Sequence, residues 1–169
     1  MFNECTSLTN APQLPATTLT GGCYYYMFRR CTSLVNAPEL PATTLAGSCY
    51  RYMFYGCTSL VVAPELPATY VNNRCYEYMF EGCTSLVVAP QLPAITLADY
   101  CYLSMFNYCT SLKLSTTQND EYQYEYRIPT SGTGTSGGGS MLYMFSHTGG
   151  TFTGTPEINT IYYTDHPPV

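Results

Sequence analysis

The chain has 169 residues, of which 46% are hydrophobic and only 10% charged, and its 11 acidic against 6 basic residues give a net charge of −5. That balance excludes the Lys/Arg-rich face a nucleic-acid binder needs to displace counterions. It also excludes a disordered solvating tail, which requires low hydrophobicity with high charge. No apolar run approaches the ~18 residues of a membrane-crossing helix, so neither a nucleic-acid partner nor membrane insertion is expected.

A tandem repeat organises the first two-thirds of the chain. Met1-Phe2 recurs as Met27-Phe28, Met53-Phe54, Met79-Phe80 and Met105-Phe106, each step being 26 residues. One unit, residues 27–52, reads MFRRCTSLVNAPELPATTLAGSCYRY. The nine cysteines keep the same clock, with gaps alternating between 18 and 8 residues. Cys23/Cys31, Cys49/Cys57, Cys75/Cys83 and Cys101/Cys109 are therefore equivalent pairs, and Cys5 is left over. The chain is expected to begin partway through a repeat, as the C-terminal part of a longer protein; the alternative is that Met1 is an initiator coinciding with the repeat's Met.

A 26-residue unit cannot bury its own apolar face, so stacking on its neighbours must build the core. Leu34, Ala37, Leu40, Leu45, Cys49, Met53, Phe54 and Cys57 are the inward positions expected of one unit. Residues 34–40 are the best strand candidate, weakened by Pro38, which cannot donate to a ladder. Residues 41–44 make a bend, and residues 49–54 suit a short helical or 3₁₀ turn. Strands paired in parallel would stack the units roughly 5 Å apart.

The repeat dissolves after Leu112. Residues 121–128, EYQYEYRI, alternate strictly, with Tyr122, Tyr124, Tyr126 and Ile128 on one face, which predicts a strand with one wet side. The Gly/Ser/Thr stretch 130–140 reads as a flexible loop. Residues 142–158 then echo the unit, Thr148 standing where cysteine would be, as befits an atypical terminal repeat. Two regions follow: repeats over 1–114, and a C-terminal cap over 115–169 with a Tyr-rich strand, a Gly/Ser loop and a degenerate final repeat.

The pattern FxxCTSLxxA…LP…C resembles the BspA-like class of leucine-rich repeat over residues 1–112, with Leu34, Ala37, Leu40, Pro41, Leu45, Cys49, Phe54 and Cys57 at its framework positions. Three extra residues per unit, the added Pro38, and Cys49 where that family more often has Ile are departures from its pattern. The resemblance implies a curved, mostly β solenoid of four to five leucine-rich-repeat-like coils with short helical or 3₁₀ turns. It also implies a role in adhesion at the cell surface. The 26-residue subtype with the TGGTFTGTP tail is also similar to proteins of gut bacteria and their phages.

The cysteines have two readings: a ladder of buried free thiols, since free Cys is among the most buried residue types, or one disulfide per coil. They lack the spacing of zinc ligands. A straight helix from Cys49 to Cys57 would separate them by about 12 Å and forbid a bond between them. Tyr24, Tyr50, Tyr76 and Tyr102 form one column and Tyr26, Tyr52 and Tyr78 another. Each column is either a stacking surface for a sugar or protein, or a partly inward-packed wall. Asn36, Val62 and Val88 are equivalent to one another, as are Glu39, Glu65 and Gln91. They lie where leucine-rich solenoids usually bind. Adjacent Val61-Val62 and Val87-Val88 cannot both point inward on an alternating strand, so either an exposed patch or a kink that hides both is expected.

His147 and His166 are the only histidines, both in the irregular tail, and no Ser–His–Asp grouping can be placed by spacing. No phosphate-cradling loop is present, and neither catalysis, metal nor cofactor is expected. The expected role is a non-catalytic binding or adhesion module, displayed on the cell surface or extracellularly, that recognises a host protein or glycan receptor. The alternatives are the C-terminal part of a phage tail or fibre receptor-binding protein in a virion, and a self-assembling structural unit that associates through the exposed N-terminal coil.

Overall fold

The computed structural model describes residues 2–129, 131–132 and 139–169. Most of the stretch expected to be a flexible loop, and Met1, lie outside the described residues. The described residues are built from short strands, isolated bridges and turns, with no helix among them. The helical or 3₁₀ turn expected at 49–54 is therefore absent.

Its physical reason lies in the backbone. Around the second full unit, the N–H groups of Arg51, Met53, Tyr55 and Cys57 each bond the carbonyl three residues earlier. The intervening N–H groups of Ser48, Tyr50, Tyr52, Phe54 and Gly56 instead reach the carbonyls of Asn73, Cys75, Glu77, Met79 and Glu81 in the next unit. Ser48, Tyr52 and Gly56 sit at φ values of 59°, 56° and 70°. A left-handed residue every fourth position stops helix propagation and turns alternate donors outward. Gly56 and Gly82 suit that conformation, whereas Tyr26, Tyr52 and Tyr78 hold it with a side chain, at a cost of order 1–2 kcal/mol each. Donation to the neighbouring unit offsets that cost.

These bonds place like residues on like. The Phe2, Phe28, Phe54, Phe80, Phe106 and Phe145 rings form one column, with successive centroids 5.4–5.7 Å apart and planes within 12° of parallel. That spacing is offset stacking, worth about 0.5–1.5 kcal/mol per pair beyond area burial. The last step spans 39 residues rather than 26, and the described residues 113–129 form an excursion before the stack resumes. Ser104, Phe106 and Tyr108 bond Leu142, Met144 and Ser146 across that excursion, as each earlier unit bonds the next.

The excursion contributes two of the four strands of the larger sheet. Strands β1 (Thr96–Leu97) and β4 (Ser131–Gly132) pair in parallel. Strands β2 (Lys113–Ser115), β3 (Tyr124–Arg127), β5 (Gly149–Gly150) and β6 (Ile161–Thr164) make a four-stranded sheet in the order β3-β6-β2-β5. β3 and β2 run antiparallel to β6, and β5 runs parallel to β2. Gly149 and Gly150 are required at β5, since a Cβ on Gly150 would lie 2.4 Å from the Leu114 carbonyl oxygen. Tyr122, Tyr126 and Ile128 are buried, while Tyr124, predicted on the same face, is 41% exposed on the sheet's edge strand. The Tyr126 hydroxyl donates to the Pro90 carbonyl, and the Arg127 guanidinium to that of Leu92, tying the excursion to the repeats.

Residues 34–40, the predicted strand, form no extended ladder. Single parallel bridges join Asn10 to Asn36 and Val62 to Val88, and others join Thr18 to Thr44 and Thr44 to Tyr70.

Replacing Phe54 by Ala removes a fully buried ring from the middle of its column, and a loss of about 3–5 kcal/mol is expected in urea unfolding. Tyr50→Phe is expected to be neutral or to stabilise by about 1 kcal/mol in the same measurement, because the Tyr50 hydroxyl is buried with no hydrogen-bond partner.

Candidate functional site

The two cysteine columns differ in chemistry. In the first, the thiols of Cys31, Cys57, Cys83 and Cys109 donate to the carbonyls of Phe2, Phe28, Phe54 and Phe80 at 2.9–3.1 Å. Each thiol thus reaches back into the preceding unit, a weak bond repeated along the stack. In the second, Cys49, Cys75 and Cys101 are buried while Cys23 is exposed. All nine cysteines are free thiols, so no disulfide staples a unit. Burial raises the Cys49 and Cys101 thiols to about 12 and lifts those of Cys57, Cys75 and Cys83 well above the ordinary thiol range. Reactivity belongs to the thiolate, so these groups are inert packing. In the last unit Thr148 replaces the thiol, and its hydroxyl turns to the carbonyl of Phe145 in its own unit.

The first tyrosine column is a correction to the candidate binding face. Tyr50, Tyr76 and Tyr102 are at most 2% exposed, and only Tyr24 at the end of the column is partly open. Their rings stack 5.6–5.8 Å apart inside the core, and desolvation drives the three buried phenols upward. The second column, Tyr26, Tyr52 and Tyr78, is half-buried, with spacings of 4.9 and 4.7 Å. Arg51 lies 5.0 Å from the Tyr52 ring centroid and pairs with Glu77, its Nε 2.7 Å from Oε2 and its Nη2 donating to Oε1 at 3.2 Å. Arg74 contacts the same Glu77 carboxylate at 3.4 Å. Glu77 is only 2% exposed, and two cations hold it there.

A second polar cluster was not legible in the sequence. The Asn107 side chain hydrogen-bonds Glu81 and lies 3.1 Å from Nδ1 of His147, and His147 stacks on Tyr108 at 4.2 Å. The Glu81 Oε2 atom is buried without a partner. Desolvation raises this carboxyl to about 7, against a smaller opposing effect from Asn107.

The remaining candidate residues do share a surface. Asn36, Glu39, Val62, Glu65 and Gln91 are exposed and Val88 is half-buried. Val35, Val61 and Val62 are 46%, 41% and 44% exposed, so Val61 and Val62 both face outward, while the equivalent Val87 and Val88 are half-buried. Between the second and third units this surface opens into a groove of two joined parts. One, of about 420 Å³, lies between Val35, Asn36, Val61 and Val62; the other, of about 370 Å³, lies between Pro38, Glu39, Pro64 and Glu65. Between the first and second units, and between the third and fourth, the equivalent gaps are closed. Val35 and Asn36 donate to the Thr9 carbonyl and Ala11 donates to Asn36; Val87 and Val88 donate to Val61 and Ala63 donates to Val88. Among the described residues, the corresponding Ala37 and Val61 N–H groups and Val35 and Val62 carbonyls have no protein partner. The proline column does not single out this gap, since Pro12, Pro38, Pro64 and Pro90 stand at the same position of four successive units.

Among the described residues no group of three His, Cys, Asp or Glu side chains is placed to hold a metal ion, and no helix is long and apolar enough to cross a membrane. No protein-family model, curated protein or solved structure matches the chain.

Two predictions follow from burial. With iodoacetamide under native conditions, Cys5 reacts first and Cys23, whose thiol partial burial raises, reacts more slowly; the other seven react only on unfolding, as read by intact mass. Glu81 is protonated more readily folded than unfolded, so stability is fully present below the unfolded carboxyl range near pH 4.5 and falls as pH rises to about 7. Glu81→Gln is expected to leave the melting temperature unchanged at pH 4 and raise it at pH 8.

Proposed function

We propose that the chain is a non-catalytic binding or adhesion module, built as a repeat solenoid of the BspA-like leucine-rich type and displayed at a cell surface or extracellularly, where it recognises a host protein or glycan. The observation that carries this reading is the exposed apolar column Val35, Val61 and Val62, bordered by Glu39 and Glu65, on one side of the stacked units. Exposed apolar residues gathered beside a groove favour contact with a partner. The buried tyrosines leave that side as the better candidate than the tyrosine column.

One observation favours a second reading, a receptor-binding part of a phage tail or fibre. Seven buried free thiols and no disulfide suit a protein made in a reducing compartment and assembled there into a particle.

The test is attachment of the purified chain to candidate host cells. A Val35→Asp, Val62→Asp double variant is expected to lose at least roughly tenfold in attachment while keeping its near-UV spectrum, because charge is placed in a desolvated contact. Unchanged attachment would exclude this side as the binding face.

A further inference from the structure

The groove between the second and third units has an internal counterpart that is already filled. At the fourth unit, the Val169 N–H donates to the Ala89 carbonyl at 3.1 Å, and the Gln91 N–H donates to the Val169 carbonyl. The two bonds flank Pro90, so an extended segment pairs with this edge despite the missing proline donor. In the second unit the matching groups are the Ala37 carbonyl and the Glu39 N–H, either side of Pro38. Neither has a protein partner, and both residues line the groove.

We propose that this groove is a strand-addition site for an extended, proline-containing segment of a partner protein, carrying a β-branched apolar residue and a flanking basic residue. The residue on the partner takes the place that Val169 takes at the fourth unit, donating to the Ala37 carbonyl and accepting from the Glu39 N–H. Main-chain bonds supply affinity in this mode, and the flanking pockets supply selectivity. Proline in the ligand fits for the same reason that Pro167-Pro168 precede Val169: the groove offers bonding groups only at alternate positions and favours a chain already extended. The exposed valines receive the apolar side chain. The basic residue is set by Glu39 and Glu65, since no Lys or Arg lines either part of the groove. The same charge disfavours a second copy of this chain as occupant, because its own segment brings Asp165.

The proposal rests on the reading of the chain as a binding module, and its test is separate from attachment. The probe is a blocked hexapeptide, acetyl-Lys-His-Pro-Pro-Val-Thr-amide, added to the full chain while amide exchange is followed by NMR. Exchange of the Glu39 amide is expected to slow by roughly tenfold or more on saturation, with the Ala37 and Val61 amides perturbed. Glu39→Pro removes the one donor and is expected to abolish the effect. Should that variant not fold, Glu39→Lys with Glu65→Lys is expected to weaken the peptide by roughly tenfold through the charge at the rim. Protection confined to Gln91, by displacement of the chain's own segment, would overturn the proposal, as would no protection at all or dimerisation through the groove without peptide. Failure here with host attachment intact would remove the groove and leave the binding-module reading standing.

Discussion

The structure depends on one constraint: half of the N–H groups in each turn segment cannot be satisfied within their own unit. Ser48, Tyr50, Tyr52, Phe54 and Gly56 all donate to the following unit. A buried amide left unpaired costs about 1–3 kcal/mol, so a single unit is not a stable object. The next unit supplies five acceptors in register, and in doing so fixes which residue lies on which. The left-handed residues at every fourth position belong to the same constraint, since they turn the alternate donors outward.

Register of that kind selects side chains by whether they can stack on themselves. Phenylalanine and tyrosine do so through offset rings, and the Phe column continues without a break from Phe2 to Phe145. Cysteine does so because it is small and its thiol can reach the carbonyl behind it. Buried charged residues do so only against opposite charge: Arg51 sits one unit from Glu77, so the position carries opposite charges in successive units, whereas the like-charged Glu39 and Glu65 stay exposed to solvent. Glu81 is the exception, its carboxylate half-buried beside Asn107 with no cation to meet it, which is why its proton is held to a higher pH.

The period, the inward positions and the resumption of the stack after residue 140 were legible because identical residues must overlie one another, and a repeated sequence states that directly. Leu34, Leu40, Leu45, Cys49, Met53, Phe54 and Cys57 are all buried; Ala37, at the mouth of the groove, is only half-buried. The turn segment was misread because CYRYMF has no glycine or proline to announce a left-handed backbone, and tyrosine at φ 56° contradicts its usual preference. The tyrosine column was ambiguous for a related reason. Tyr50 and Tyr52 are two residues apart, and only the turn geometry decides that the first lies in the core and the second along its edge. Glu81, Asn107 and His147 meet across units and across the 39-residue step, which no local pattern encodes.

Proline accounts for the difference between the two sides of the stack. On the turn side, every unit bonds the next without interruption. On the other side, Pro38, Pro64 and Pro90 recur at one position, so each edge offers a carbonyl that the next unit cannot meet with an N–H. The repeat therefore cannot zip into continuous strands there, however well the rest of the unit is matched. The units answer this in three ways. Two gaps are drawn together by bridges at Asn10–Asn36 and Val62–Val88. One edge is capped by Val169, which supplies the missing N–H from outside the repeat. Between the second and third units the bridge lies instead at Thr44–Tyr70, and the backbone groups either side of Pro38 and the exposed valines stay open to whatever chain can pair with them. A residue that weakens a sheet in one setting here keeps that edge from being consumed by the protein's own stacking.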